Sequence, residues 1–184
     1  TLNRYMPDRR DLNRYFPGSE KGSIAAIVAN EVFTGVVRHC SHLVDLHTGK
    51  TLAAVDHGAE ATAASISAGG RLLATGGIDD VVRTWRSDGR PLRVLRGHVG
   101  QITAIAFSAR GTLIGTASTD GVGRVWRVGS GQPVTVLAGH GNYVEDIAFS
   151  PDGTQVATAS RDGTARTWKA ETGAALALFA GDSE

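Results

Sequence analysis

Cysteine is nearly absent from this sequence: Cys40 is the only one among 184 residues, so no internal disulfide framework can form. Aromatic residues make up only 6%, and no apolar run approaches the roughly 18 residues that a membrane-spanning helix needs. The opening stretch TLNRYMPDRRDLNRY has no apolar core, so no secretory signal is read there and a cytoplasmic setting without membrane is expected. A dominant charge is also lacking, with 19 Lys plus Arg against 18 Asp plus Glu and a net charge of +1. That balance argues against a protein that binds nucleic acid or anionic lipid by displacing counterions. No Gly-x-x-x-x-Gly-Lys-Ser/Thr phosphate loop is present, Pro17 to Gly22 reads as polar linker, and nothing implies a cofactor. What is abundant is glycine, 24 residues of 184 against an ordinary usage of about 7%, which marks a turn-rich chain. Length by itself is that of one ordinary domain.

The sequence repeats itself. His98 and His140 lie 42 residues apart, and the same shift superposes Phe107 on Phe149, Ser118 on Ser160, Asp120 on Asp162 and Trp126 on Trp168, matching 17 of 42 positions. One repeat earlier, at a spacing of 41, His57, Ser67, Gly70, Asp79 and Trp85 fall on His98, Ser108, Gly111, Asp120 and Trp126. A fainter copy precedes these, with Leu43 where Trp belongs. The resulting division is an N-terminal linker or extension at 1–22, a degenerate unit at 23–56, three well-formed units at 57–97, 98–139 and 140–181, and a tail at 182–184.

Within one unit, ITAIAFS (102–108) and LIGTAST (113–119) are short β-branched runs joined by Ala109-Arg110-Gly111-Thr112, a hairpin signal. GRVWRV (123–128) follows a tight turn at Asp120-Gly121, where glycine supplies positive φ, and VTVLAG (134–139) follows Gly129 to Pro133. Four antiparallel strands therefore fill each unit. Nothing from 23 to 181 has the length and spacing of an amphipathic helix.

These repeats resemble the tryptophan-aspartate (WD) repeat family of β-propellers. The resemblance covers about residues 23–181. It implies an all-β fold of four-stranded blades packed radially around a channel, here about four blades of an incomplete propeller or half-ring. At the dipeptide itself the three Trp are followed by Arg86, Arg127 and Lys169 rather than Asp.

Two repeats bring together a His, a Ser, an Asp and a Trp: His98, Ser118, Asp120 and Trp126, then His140, Ser160, Asp162 and Trp168. Ser, His and Asp are also the residue types of a nucleophilic triad, so a hydrolase is one reading. Recurrence favours architecture, because an active site has no reason to be copied into every repeat. The resemblance implies a buried network in each blade, with Asp accepting from His, His bonded to Ser and Ser to the indole N–H. In the 57–97 repeat, His57, Asp79 and Trp85 remain but Gly77 replaces the Ser, which suggests a partial network and a less rigid blade.

Other chemistry is thinner. His39, Cys40, Ser41, His42 and His47 lack the four-ligand spacing of a zinc site, so no metal is expected. Tyr5, Tyr15 and Phe16 sit in a short echo, LNRYMP and LNRYFP, that reads as linker or docking strand. Arg83, Arg86, Arg90, Arg93 and Arg96 crowd one stretch, which reads as a solvated rim protecting an outer strand rather than a phosphate-binding stripe.

The resemblance further implies that partners bind through residues just after the His and just before the turn Asp. Carried onto this sequence these are Glu60, Thr62 and Ile78, then Gln101, Thr103 and Thr119, then Tyr143, Glu145 and Arg161. They vary where the framework repeats, as a recognition surface would, and Tyr143 and Arg161 suit a binding hot spot best by residue type. The expected function is a non-catalytic scaffold for a protein or peptide partner. The alternative is a regulatory or sensor segment of a larger signalling NTPase or kinase, an arrangement that bacterial propeller proteins of this Ala- and Gly-rich style resemble. Just under four repeats leave ring closure unsolved, since propellers span about 4 to 8 blades. The chain opens on Thr1 and stops at Glu184, close to where a further His would stand. Further blades or self-association with a second copy are therefore expected to complete the ring.

Overall fold

The computed structural model describes residues 40–44 and 51–180. The linker at 1–22 with Tyr5, Tyr15 and Phe16, most of the degenerate unit, His39 and His47, and the tail at 182–184 lie outside the described residues. Within them every regular element is a strand, and no helix is long and apolar enough to cross a membrane.

β1 (Cys40–Val44) and β2 (Thr51–Asp56) pair antiparallel, as the last two strands of the degenerate blade. Three complete sheets follow. The first contains β3 (Ala61–Ile66), β4 (Leu72–Gly77), β5 (Val81–Arg86) and β6 (Pro91–Arg96). The second contains β7 (Ile102–Phe107), β8 (Leu113–Ser118), β9 (Gly123–Arg127) and β10 (Pro133–Leu137). The third contains β11 (Val144–Phe149), β12 (Gln155–Ser160), β13 (Thr164–Lys169) and β14 (Ala175–Ala180). All three are antiparallel meanders with strands in chain order, and the innermost strands β3, β7 and β11 lie side by side. These are radially packed blades, and their strands fall within two residues of the sequence expectation.

Turn chemistry sets the hairpins. Between β7 and β8, Ser108 Oγ accepts from Leu113 N at 3.1 Å while Gly111 takes φ 67°, a conformation costly for residues with a Cβ. Ser67 and Leu72 repeat that bond in the first blade at 3.1 Å, and Ser150 and Gln155 in the third at 3.0 Å.

The core lies between blades. One face of each sheet meets the opposite face of the next: Ala74, Val82 and Leu95 pack on Ile102, Ile105, Ile114 and Trp126. One step on, Leu113, Ala117, Val125 and Leu137 pack on Val144, Ile147, Val156 and Trp168. Full burial of each large aliphatic side chain contributes about 1.5–3 kcal/mol, so the seams carry most of the stability. Close approach requires small residues; a Cβ on Gly76 would stand 2.5 Å from Ile102 Cγ2. The degenerate blade joins in through Val55, which packs with Leu73 and Trp85. Among the described residues the last blade is covered on one face only, and β14 is exposed along its whole length.

Each inner strand carries a bulge at its second residue, where pairing with its neighbour skips Thr62, Thr103 and Glu145. A bulge re-aims the side chain it carries. Thr62 Oγ1 accordingly donates to Ile102 O of the next blade at 2.6 Å, and Thr103 Oγ1 to Val144 O at 2.5 Å.

Candidate functional site

In the second blade the buried polar chain runs from tryptophan to aspartate. Trp126 Nε1 donates to Thr116 Oγ1 at 2.9 Å, Thr116 Oγ1 meets His98 Nε2 at 2.8 Å, and His98 Nδ1 meets Asp120 Oδ2 at 2.7 Å. A carboxylate only accepts, so Nδ1 carries the proton and Nε2 accepts from the threonine. Burial acts to raise the pKa of Asp120, but hydrogen bonds from His98 and from Val122 N and Val99 N win, holding it below the usual carboxylate range. The third blade repeats the chain with Trp168, Thr158, His140 and Asp162 at 2.8, 2.8 and 3.0 Å. Asp162 lies well below its ordinary value too: desolvation opposes this, but hydrogen bonds from Thr164, Gly141 N and His140 dominate.

The hydroxyl in the relay is therefore a threonine, which corrects the expectation that Ser118 and Ser160 bridge histidine and indole. Ser118 Oγ instead donates to Gly100 O at 2.7 Å and accepts from Asp120 N at 3.1 Å, and Ser160 does the same with Asn142 O and Asp162 N, both at 3.1 Å. The serines brace the loops beside the network. This geometry also removes the triad reading, since a nucleophilic serine needs its base within hydrogen-bond reach. Ser118 is fully buried, and both nitrogens of His98 are engaged elsewhere.

The first blade holds the same relay despite Gly77, again against expectation. Thr75 Oγ1 accepts from Trp85 Nε1 at 3.0 Å and meets His57 Nδ1 at 2.8 Å. The imidazole is turned over relative to its counterparts. Its Nε2 faces Asp79 Oδ1 at 3.2 Å and Arg83 Nη1 at 3.0 Å, while Arg83 Nη1 donates to Asp79 Oδ2 at 2.7 Å. Gly77 makes room for this, because a Cβ there would lie 2.5 Å from His57 Nε2. Arginine rather than histidine is the shorter partner of Asp79. Burial lowers the pKa of His57, opposed by the Asp79 hydrogen bond and reinforced by the charge of Arg83.

Three separated matches to one family model, described as WD domain, G-beta repeat, cover residues 49–86, 89–127 and 131–169. The chain belongs to the WD-repeat family. Among curated proteins none matches it. The matches begin and end about a strand away from the sheets, because a WD repeat by sequence straddles two blades: the first match contains β2 of one blade and β3 to β5 of the next.

On the end of the blades that carries His and Asp, backbone bonds set the variable residues in pairs. Ile78 N donates to Glu60 O, Thr119 N to Gln101 O and Arg161 N to Tyr143 O, at 3.0, 3.0 and 2.9 Å. Glu60, Ile78, Gln101, Tyr143 and Arg161 are exposed, while Thr119 and Glu145 are half-buried. Thr62 and Thr103 do not belong to this face: they are half-buried and committed to the neighbouring blade. In the third blade the three residues meet. Arg161 pairs with Glu145, and its guanidinium lies 5.6 Å from the centre of the Tyr143 ring. The arginine run of the first blade is broken up, with Arg83 turned inward to Asp79 and Arg93 donating to Leu92 O and Gly129 O. Among the described residues no group of three His, Cys, Asp or Glu could hold a metal ion.

Proposed function

We propose that this WD-repeat chain is a non-catalytic scaffold that binds a protein or peptide through the loop end of its blades, with Tyr143 and Arg161 as anchors. The supporting observation is the Tyr143, Arg161 and Glu145 cluster. An exposed aromatic and an arginine, the residue types enriched at binding hot spots, are held in place before any partner arrives. Glu145 occupies the arginine Nε, which leaves the outer guanidinium nitrogens free to donate. The loops stand on rigid sheets, so the cluster loses little conformational entropy on binding.

Panning a random peptide library against the chain tests this reading. Peptides that bind the parent are expected to lose at least tenfold in affinity for Tyr143→Ala and Arg161→Ala variants whose melting temperature is unchanged. Peptides that bind all three proteins equally would place recognition elsewhere.

A further inference from the structure

We infer that the opposite, hairpin end of the blades is a second docking surface, one that takes an acidic polypeptide segment. It is independent of the loop-end reading. The hairpin end gathers Arg71, Arg86, Arg90, Arg110, Arg127 and Lys169, all exposed, against Asp88, Asp152 and Glu171. A chain with a net charge of +1 thus concentrates positive charge at one end. The loop end carries the turn aspartates, Glu60 and Glu145.

Three of these cations occupy one structural position. Arg86, Arg127 and Lys169 each follow the tryptophan of their repeat, close the third strand of their blade and face solvent. β5, β9 and β13 are interior strands, so protection of a sheet edge, which accounts for the arginines of β6, does not explain them. The acids are ionised but outnumbered, six cations against three, so this end stays positive. Asp152 is turned into its own loop, accepting from Ser150 Oγ at 2.5 Å and from Thr154 N and Oγ1 at 3.0 and 2.8 Å. Glu171 and Asp88 make exposed pairs with Arg127 and Arg90 at 3.2 and 3.6 Å, of a kind that exchanges readily with a competing carboxylate. Arg71, Arg86, Arg110 and Lys169 have no ion pair among the described residues.

Between the second and third blades, this end opens into a cleft of about 460 Å³ lined in part by Leu113, Leu176, Arg110 and Lys169. That size accepts one or two side chains on an apolar wall, and the rim is mixed, with Arg110 and Lys169 standing beside Asp152 and Glu171. The chemistry selects an acidic chain with an aliphatic residue embedded in it. Nucleic acid would want aromatic faces for stacking, and the only exposed aromatics among the described residues, Tyr143 and Phe179, are on the loop end and on β14 near it. A membrane surface would want a contiguous polybasic segment, whereas these cations come from separate turns with acids between them.

The test is fluorescence anisotropy of the full chain with a labelled dodecamer of glutamates around a central leucine. Saturable binding that weakens with salt is expected, and Arg86→Gln/Arg110→Gln/Lys169→Gln should weaken it at least tenfold without moving the melting temperature. Tyr143→Ala should leave it unchanged, which separates this surface from the loop-end site. Equal affinity for the triple variant overturns the inference, as does equal affinity for a lysine-based dodecamer. So does binding of an oligothymidylate or of phosphatidylserine vesicles where the acidic dodecamer fails to bind.

Discussion

Thr116 and Ser118 are two residues apart on one strand and so project from the same face, which is why spacing could not say which hydroxyl reaches the histidine. The hydroxyl must also meet the indole, and only the position paired one step deeper in the sheet does both. A signal for it was present: threonine recurs at 75, 116 and 158, including the repeat where glycine has replaced the serine. His, Asp and Trp were legible because their spacing is regular and their chemistry distinctive. Thr116→Val is expected to lower stability by about 1–3 kcal/mol, since it strands the buried indole N–H and the histidine acceptor, and to move the Trp126 indole N–H resonance. Ser118→Ala should leave that resonance in place. The reverse pattern in proton NMR spectra would return the relay to the serine.

At the scale of one blade, the reversed imidazole of the first blade couples stability to pH. Asp79, Arg83 and Asp56 are the charged groups that act on His57, and burial together with Arg83 outweighs the two carboxylates, leaving its folded pKa depressed. An unfolded chain then takes up the proton first, so the stabilising contribution is complete above about pH 6.5 and falls as pH drops below it. Asp79, Asp120 and Asp162 have depressed carboxylate values, so their contributions are lost only in more acidic solution, which separates the two windows. Urea unfolding at pH 7.5 and 5.5 should show a loss for the parent that His57→Gln reduces. An identical loss in both proteins would assign the pH dependence to other groups. The strands and turns of this blade were legible from period and glycine placement. The ring reversal was not, because it depends on the volume left by a missing side chain.

For the whole molecule, the seams show how one blade recruits the next, and the last blade breaks that pattern. Positions that face the following blade are Thr103, Ala104 and Leu113 in the second sheet, and their counterparts one repeat on are Glu145, Asp146 and Gln155. A carboxylate cannot make the donor bond of Thr103 to the carbonyl across the seam, and Asp146 in a dry seam would need a cationic or donor partner. The outer strand of the same face remains apolar, with Phe179, the counterpart of the buried Leu95 and Leu137, 57% exposed. The polar inner half therefore works against a blade stacking in the manner of the internal seams, while the apolar outer half invites cover of some other shape. Restoring the internal pattern should remove that discrimination. Glu145→Thr/Asp146→Ala/Gln155→Leu is expected to associate at concentrations where the parent chain gives a smaller species by light scattering. If the two proteins scatter alike across a concentration series, the inner half of this face does not control association, and the apolar outer strand must do so.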